Sequence, residues 1–248
     1  MLDRRHVLIA AAAAVALPAR AAEGDLIYAN PLSKPSDIAG WKMEGEASVD
    51  FDTGRMRLKN RLSPDQGQAS NFVLWNPAVF EGDVAISWNF RPLAEPGLAI
   101  LFFAAGGING QHILDSSLKP RAGVYDQYTQ SDLAALQIAY FRRRWPEERA
   151  FHLSNLRRAP GFELLAQGAD PLPDVEDMTV EAYRMKLLKT QAGVVFSIND
   201  LSVLTWRDDG TKPTPHKGSV GFRQMAPLEA VYSDLEVRRI TQTFIEPE

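Results

Sequence analysis

The side chains best suited to chemistry are concentrated in the middle of the sequence. Tyr140-Phe-Arg-Arg-Arg-Trp145 is followed by Pro146-Glu-Glu-Arg149 and then by Phe151-His-Leu-Ser-Asn155. Read as a strand, the first segment places Tyr140, Arg142 and Arg144 on one face and Phe141 and Arg143 on the other. On the neighbouring strand His152 and Ser154 share a face, bracketed by Arg149 and Arg157. His112, Tyr125, Gln127, Tyr128 and Gln167 lie in segments able to converge on the same surface. Trp145 offers a ring in a proline turn. An arginine inside a β-sandwich must be paired. Arg142 and Arg143 therefore either pair with Glu147, Glu148 or Asp170, or serve a ligand.

Arg, His, Tyr and Gln without an acid pair suit β-elimination beside a uronate. Arg and Gln neutralise the sugar carboxylate by hydrogen bonding, Arg bidentately. A His or Tyr then removes the proton from the adjacent carbon, and Tyr can protonate the leaving oxygen. On this reading Tyr140, Arg142 and His152 are the catalytic candidates. His112, Tyr125, Gln127, Tyr128, Trp145, Arg149, Arg157 and Gln167 are the candidates for substrate binding. Hydrolysis asks for something else, two carboxyl groups about 5 Å apart or about 6.5–9.5 Å apart. Glu147-Glu148 sits in the proline turn, and Asp174, Glu176 and Asp177 in a polar loop. Hydrolysis with loop acids and non-catalytic sugar binding stay open as alternatives.

Other chemistries find no support. There is no phosphate-cradling glycine motif, no metal-ligand spacing of histidines and no Gly-x-Ser-x-Gly elbow. Cysteine is absent, which removes disulfides, thiolate metal sites and a cysteine nucleophile. No cofactor is expected.

The elements that must position these residues read as strands. Val84-Ala-Ile-Ser-Trp-Asn-Phe90 alternates apolar and polar, as a half-buried strand does, and Leu98-Ala-Ile-Leu-Phe-Phe103 is apolar throughout, as in a strand buried on both faces. Further strands are expected over 136–143, 151–155, 162–167, 183–188, 194–198, 201–206, 218–223 and 231–237, with turns at Asn199-Asp200 and Asp208-Asp209-Gly210 between some of them. A short helix is expected near Ser131–Leu136. This spacing predicts an all-β protein, a two-sheet antiparallel sandwich or jelly roll. Phe196, Ile198, Trp206, Phe222 and Leu235 should be buried between its sheets.

Several segments together carry a family resemblance. Val194-Val-Phe-Ser-Ile-Asn-Asp200, Trp206-Arg-Asp-Asp-Gly210, Gly218-Ser-Val-Gly-Phe-Arg-Gln-Met225 and Ala230-Val-Tyr-Ser-Asp-Leu-Glu-Val237 resemble the last strands of concanavalin A-like lectin/glucanase domains. Within that superfamily, Phe103-Ala-Ala-Gly-Gly107, Gly123-Val-Tyr-Asp-Gln-Tyr128, Tyr140 through His152, Asn155-Leu-Arg-Arg158 and Ala166-Gln-Gly-Ala-Asp-Pro171 resemble the YesU-like domain-of-unknown-function family. The resemblance implies a concanavalin A-like jelly roll. It also implies an association with the breakdown of uronate- and rhamnose-containing plant polysaccharides, and it admits a structural calcium ion. The Glu-x-Asp-x-x-Glu strand of the superfamily's glucanases is missing here. Arg121-Ala-Gly-Val-Tyr-Asp-Gln127 is similar to a Lys-Ala-Gly-x-Tyr-x-Gln motif of jelly-roll alginate lyases. Their Gln-x-His has no equal, since Gln111 and His112 are adjacent.

The N-terminus reads as an export signal. Arg4-Arg5, an apolar run from Val7 to Leu17 and Ala19-Arg-Ala21 make a secretory signal peptide over residues 1–21, and Asp3-Arg-Arg-His-Val-Leu8 is similar to the twin-arginine pattern. The apolar run is about half of the ~20 residues that cross a bilayer, so no membrane association is expected after cleavage. Residues 22–248 are then one jelly-roll domain, periplasmic or secreted. Removing Arg4, Arg5, Arg20 and Asp3 takes away a net +2 from a full-chain charge of -4 and leaves about -6. That balance argues against nucleic acid. An acidic oligo- or polysaccharide is the expected partner.

Overall fold

The computed structural model describes residues 22–242, so the expected signal segment lies outside the described residues. The elements in chain order are β1 (Ala22–Asn30), β2 (Lys42–Gly45), β3 (Ala47–Asp50), β4 (Met56–Asn60), β5 (Phe72–Trp75), β6 (Phe80–Glu81), β7 (Val84–Ala94), β8 (Leu98–Gly107), α1 (Asp126–Thr129) and β9 (Leu133–Tyr140). They continue with α2 (Pro146–Phe151), β10 (Leu153–Ala159), β11 (Glu163–Ala169), β12 (Tyr183–Thr190), β13 (Gly193–Ile198), β14 (Leu201–Arg207), β15 (Lys217–Met225) and β16 (Glu229–Gln242). The first sheet runs β14-β13-β12-β7-β16-β4-β3, with β1 also on β16; the second runs β11-β10-β9-β8-β15-β5-β2, with β6 also on β15. The two antiparallel sheets form the expected jelly-roll sandwich.

Period-two alternation builds the layer between the sheets. Val84, Ile86, Trp88 and Phe90 of β7 face Ala99, Leu101 and Phe103 of β8 and Leu136, Ile138 and Tyr140 of β9 in one buried cluster. Phe196, Ile198, Phe222 and Leu235 are buried there as expected, whereas Trp206, near the edge strand's end, is only partly buried.

The other face of the second sheet is apolar too. Ile100 and Phe102 point away from the first sheet and join Val73, Trp75 and Ala139 in a second core. Residues 108–131, in the connection between β8 and β9, cover part of it with Ile113, Leu118 and Tyr128. Both faces of β8 are thus buried, and its unbroken apolar run follows from that.

Three local readings need correction. The segment near Ser131–Leu136 is the start of β9 and not a helix: pairing to both β8 and β10 overrides the helix propensity of its alanines and leucines. The expected proline turn is the start of α2, with Pro146 at its first position, where the missing N–H costs nothing. The expected strand over 151–155 accordingly begins at Leu153.

Candidate functional site

A cavity of about 210 Å³ opens on the outer face of the second sheet, beside the 108–131 cover. Leu98, Ile100, Ala139 and Met225 form its apolar floor. Arg142, Trp145 and Glu148 border it from the segment that follows β9, and Tyr125 and Phe162 from the cover and from the β10–β11 turn. Asn155 and Arg157 reach it from β10, and Gln68 from the loop before β5. An apolar floor with a few convergent polar groups is the usual form of a small-molecule site.

Each polar group has an identifiable support. The alternation of β9 stops at Phe141, whose φ of 47° is left-handed. Phe141 therefore packs inward with Tyr140, and Arg142 emerges on the cavity side. Arg142 pairs with Glu148 at 2.7 Å, and its backbone N–H donates to Asp170 Oδ2 at 3.2 Å. Glu148 in turn accepts from the backbone N–H groups of Arg144 and Trp145 at the start of α2. With its amide turned to satisfy both atoms, Asn155 accepts from Arg142 Nη1 at 3.0 Å, and the Asn155 and Gln167 amides lie 3.0 Å apart.

Arg157 is held differently. Its guanidinium lies 3.8 Å from the centre of the Phe162 ring and donates to the Phe162 carbonyl at 3.1 Å. Phe162 itself has a left-handed φ of 54° at the end of the Pro160-Gly161 turn, and it meets Tyr125 edge-on at 5.4 Å. No carboxylate among the described residues pairs with Arg157. Burial lowers its pKa, and Arg142 lowers it further.

Beside the cavity lies Arg223, fully buried. It donates to the Gly123 carbonyl at 2.8 Å and to Gln68 Oε1 at 3.3 Å, beneath the rings of Tyr125 and Tyr128. It too has no carboxylate partner among the described residues, and burial lowers its pKa. The Tyr125 hydroxyl donates to Gln137 Oε1 at 3.0 Å, and burial raises its pKa. The site therefore combines one compensated pair, Arg142–Glu148, with two cations that lack counter-ions. An excess of positive charge at and beside a cavity favours an anion.

The sequence from residue 25 to 237 matches the model of a domain of unknown function, DUF1961. The chain belongs to the DUF1961 family. It is 47% identical over 219 residues to the YesU protein of Bacillus subtilis, covering 88% of this chain and 97% of that one. A crystal structure of a protein with a galectin-like fold from Bacillus subtilis superposes with a TM-score of 0.83 at 45% identity, over 89% of this chain and 98% of that chain. The carbohydrate recognition domain of Emp46p in its potassium-bound form superposes with a TM-score of 0.57 at 12% identity, over 85% and 95% of the two chains. The expected membership of the YesU-like family and its concanavalin A-like fold are both met.

In this DUF1961 chain the cavity gathers Arg142, Tyr125, Trp145 and Arg157 from the sequence candidates, with Gln167 on its margin through Asn155. The others lie elsewhere. Tyr140 is fully buried between the sheets, where its hydroxyl accepts from Trp88 Nε1 at 3.1 Å. Burial holds its pKa well above the ordinary value. His152 caps α2 in a left-handed conformation (φ 48°), and Arg143 Nη2 donates to its Nδ1 at 3.1 Å. Arg143 is buried on Asp170 at 3.1 Å and Asp174 at 3.3 Å, the pairing that a buried arginine requires. Tyr140 and Arg142 thus do not share a face, because the left-handed Phe141 intervenes.

His112 donates from Nε2 to the Pro77 carbonyl at 2.9 Å and accepts on Nδ1 from Leu114 N–H, which braces the cover. Gln127 accepts from Ala122 N–H, and Tyr128 accepts from Gly123 N–H deep in the second core. Arg149 pairs with Glu95 at 3.4 Å on the surface. Among the described residues no three Asp, Glu, His or Cys side chains are gathered to hold a metal ion. No helix among the described residues is long and apolar enough to cross a membrane.

Sequence reasoning missed Arg223, Phe162, Asn155 and Gln68. Arg223 alternates with inward Phe222, which places it on the outer face, but nothing local says that residues 108–131 cover that face.

Proposed function

We propose that this cavity binds a carboxylate-bearing sugar unit of an acidic oligosaccharide, outside the cytoplasm if the N-terminal segment acts as the export signal it resembles. The observation that carries the reading is Arg157, a partly buried cation with an aromatic ring on one side and no carboxylate partner among the described residues. The apolar floor and Trp145, 45% exposed at the rim, suit the C–H faces of a sugar ring. A planar guanidinium suits a carboxylate, which it can hold through two hydrogen bonds. A fold shared with a carbohydrate recognition domain is consistent with this reading.

Elimination is the second reading, and Tyr125 is the feature that favours it. Tyr125 lines the cavity, and burial keeps its phenol in the protonated form, the form that can give a proton to a leaving oxygen. Hydrolysis is less well supported, because among the described residues Glu148 is the one carboxylate lining the cavity and is already bound by Arg142 and two backbone N–H groups. A panel of galacturonate, glucuronate, mannuronate and guluronate oligomers, screened by thermal shift and by ultraviolet absorbance of a new carbon–carbon double bond, tests both readings. Stabilisation without absorbance supports binding alone. Absorbance that disappears in Tyr125→Phe supports elimination. Stabilisation by neutral oligomers equal to that by uronates contradicts both.

A further inference from the structure

We infer that the cavity accepts only the terminal unit of a saccharide chain; the inference rests on the acidic-sugar reading above and adds the mode of engagement. The outer face of the second sheet would otherwise be a continuous trough. Its cross-strand neighbours run Gln167–Asn155–Ala139–Ile100–Arg223–Val73–Glu44 from β11 to β2. A long chain could lie along such a row.

Residues 108–131 block that path. Tyr128 packs on Phe102 and Trp75 with ring centres 5.7 and 6.4 Å away. Arg121 grips Glu44 through two hydrogen bonds of 3.0 and 2.7 Å, and Trp75 Nε1 donates to the same carboxylate at 2.9 Å. Arg223 ties the Gly123 carbonyl down from below. Gly123 adopts φ +90°, and a Cβ there would lie 1.9 Å from the Asn71 carbonyl oxygen. The cover is therefore clamped on the half of the row beyond Ile100.

What remains is closed on the β15 side by the cover and Gln68 and at the strand ends by Arg142, Trp145 and Glu148. At the opposite end Tyr125 and Phe162 close it. No residue of β11 lines the cavity, and on that side Gln167 is exposed next to Asn155. Ligand pockets for drug-sized molecules run to about 300–1,000 Å³, so a cavity of about 210 Å³ has room for about one sugar ring. One ring enters, and the rest of the chain leaves over β11.

The test is calorimetric titration with uronate dimers, trimers and hexamers, each also in two modified forms: reducing end opened to the alditol, and non-reducing ring unsaturated. The expected result is an affinity per chain that changes by less than about threefold from dimer to hexamer. One of the two end modifications should weaken binding about tenfold or more while the other has little effect. Affinity that climbs about tenfold with added units, or survives both end modifications together, overturns the inference and leaves the acidic-sugar reading standing. Failure of every unmodified oligomer to bind overturns the acidic-sugar reading and this inference with it.

Discussion

At the scale of single residues, the difference between Tyr140 and Arg142 is the most informative. Strict alternation from 140 to 144 predicts that they share a face. One left-handed residue, Phe141, breaks the alternation, so Tyr140 stays in the core and Arg142 reaches the cavity. Such a bend has no signature in residue type, because non-glycine residues seldom adopt it. Tyr140 instead accepts a hydrogen bond from Trp88 inside the core. Tyr140→Phe should therefore leave saccharide affinity unchanged and lower stability by about 1 kcal/mol, the usual net value of one hydrogen bond. Urea unfolding and calorimetry measure the two effects. Loss of binding with unchanged stability would return Tyr140 to the site. Arg143 was legible in outline, since a buried arginine demands acids and Asp170 was among those named. Arg223 was not legible, because its burial depends on a loop about a hundred residues earlier in the chain.

At the scale of elements, strands with alternating or unbroken apolar patterns were readable because each faces a core, and the two-sheet assignment followed from them. α2 was not, since six residues beginning with Pro-Glu-Glu look the same in a turn as in a short helix. The cover over residues 108–131 holds little regular structure, and its position comes from contacts distant in sequence. Gly123 is where it is most constrained. Gly123→Ala should cost about 1–3 kcal/mol of backbone strain, with the steric conflict at Asn71 added. It should also raise hydrogen exchange across residues 108–131 and weaken saccharide binding through Tyr125. Unchanged exchange in that segment would mean that the cover is not clamped at this point.

At the scale of the whole molecule, pH dependence has a contribution far from the cavity. Lys189 is 2% exposed at the end of β12, where its Nζ donates to the His216 carbonyl at 2.6 Å. Burial lowers its pKa from 10.5 to about 8, opposed by the charges of Asp83 and Glu81. A folded-state pKa below the unfolded one favours the neutral amine, so this contribution to stability is greatest above pH 10.5, falls as pH drops toward about 8 and is flat below. Lys189→Met removes it. The His216 carbonyl keeps its bond from Gly82 N–H, so the variant should be at least as stable as the parent at neutral pH. Its advantage should shrink as pH rises through that window, as denaturant midpoints would report; a constant difference across the window would count against a buried amine. Whether Arg157 reads a carboxylate is decided by a four-way calorimetric titration: parent and Arg157→Gln, each with the tightest-binding uronate oligomer and with its carboxyl-reduced counterpart. Arg157→Gln should weaken uronate binding by about tenfold or more and leave the weak binding of the reduced sugar unchanged, since only the former has a charge for the guanidinium to hold. Equal losses for both sugars, or no loss for either, would contradict it.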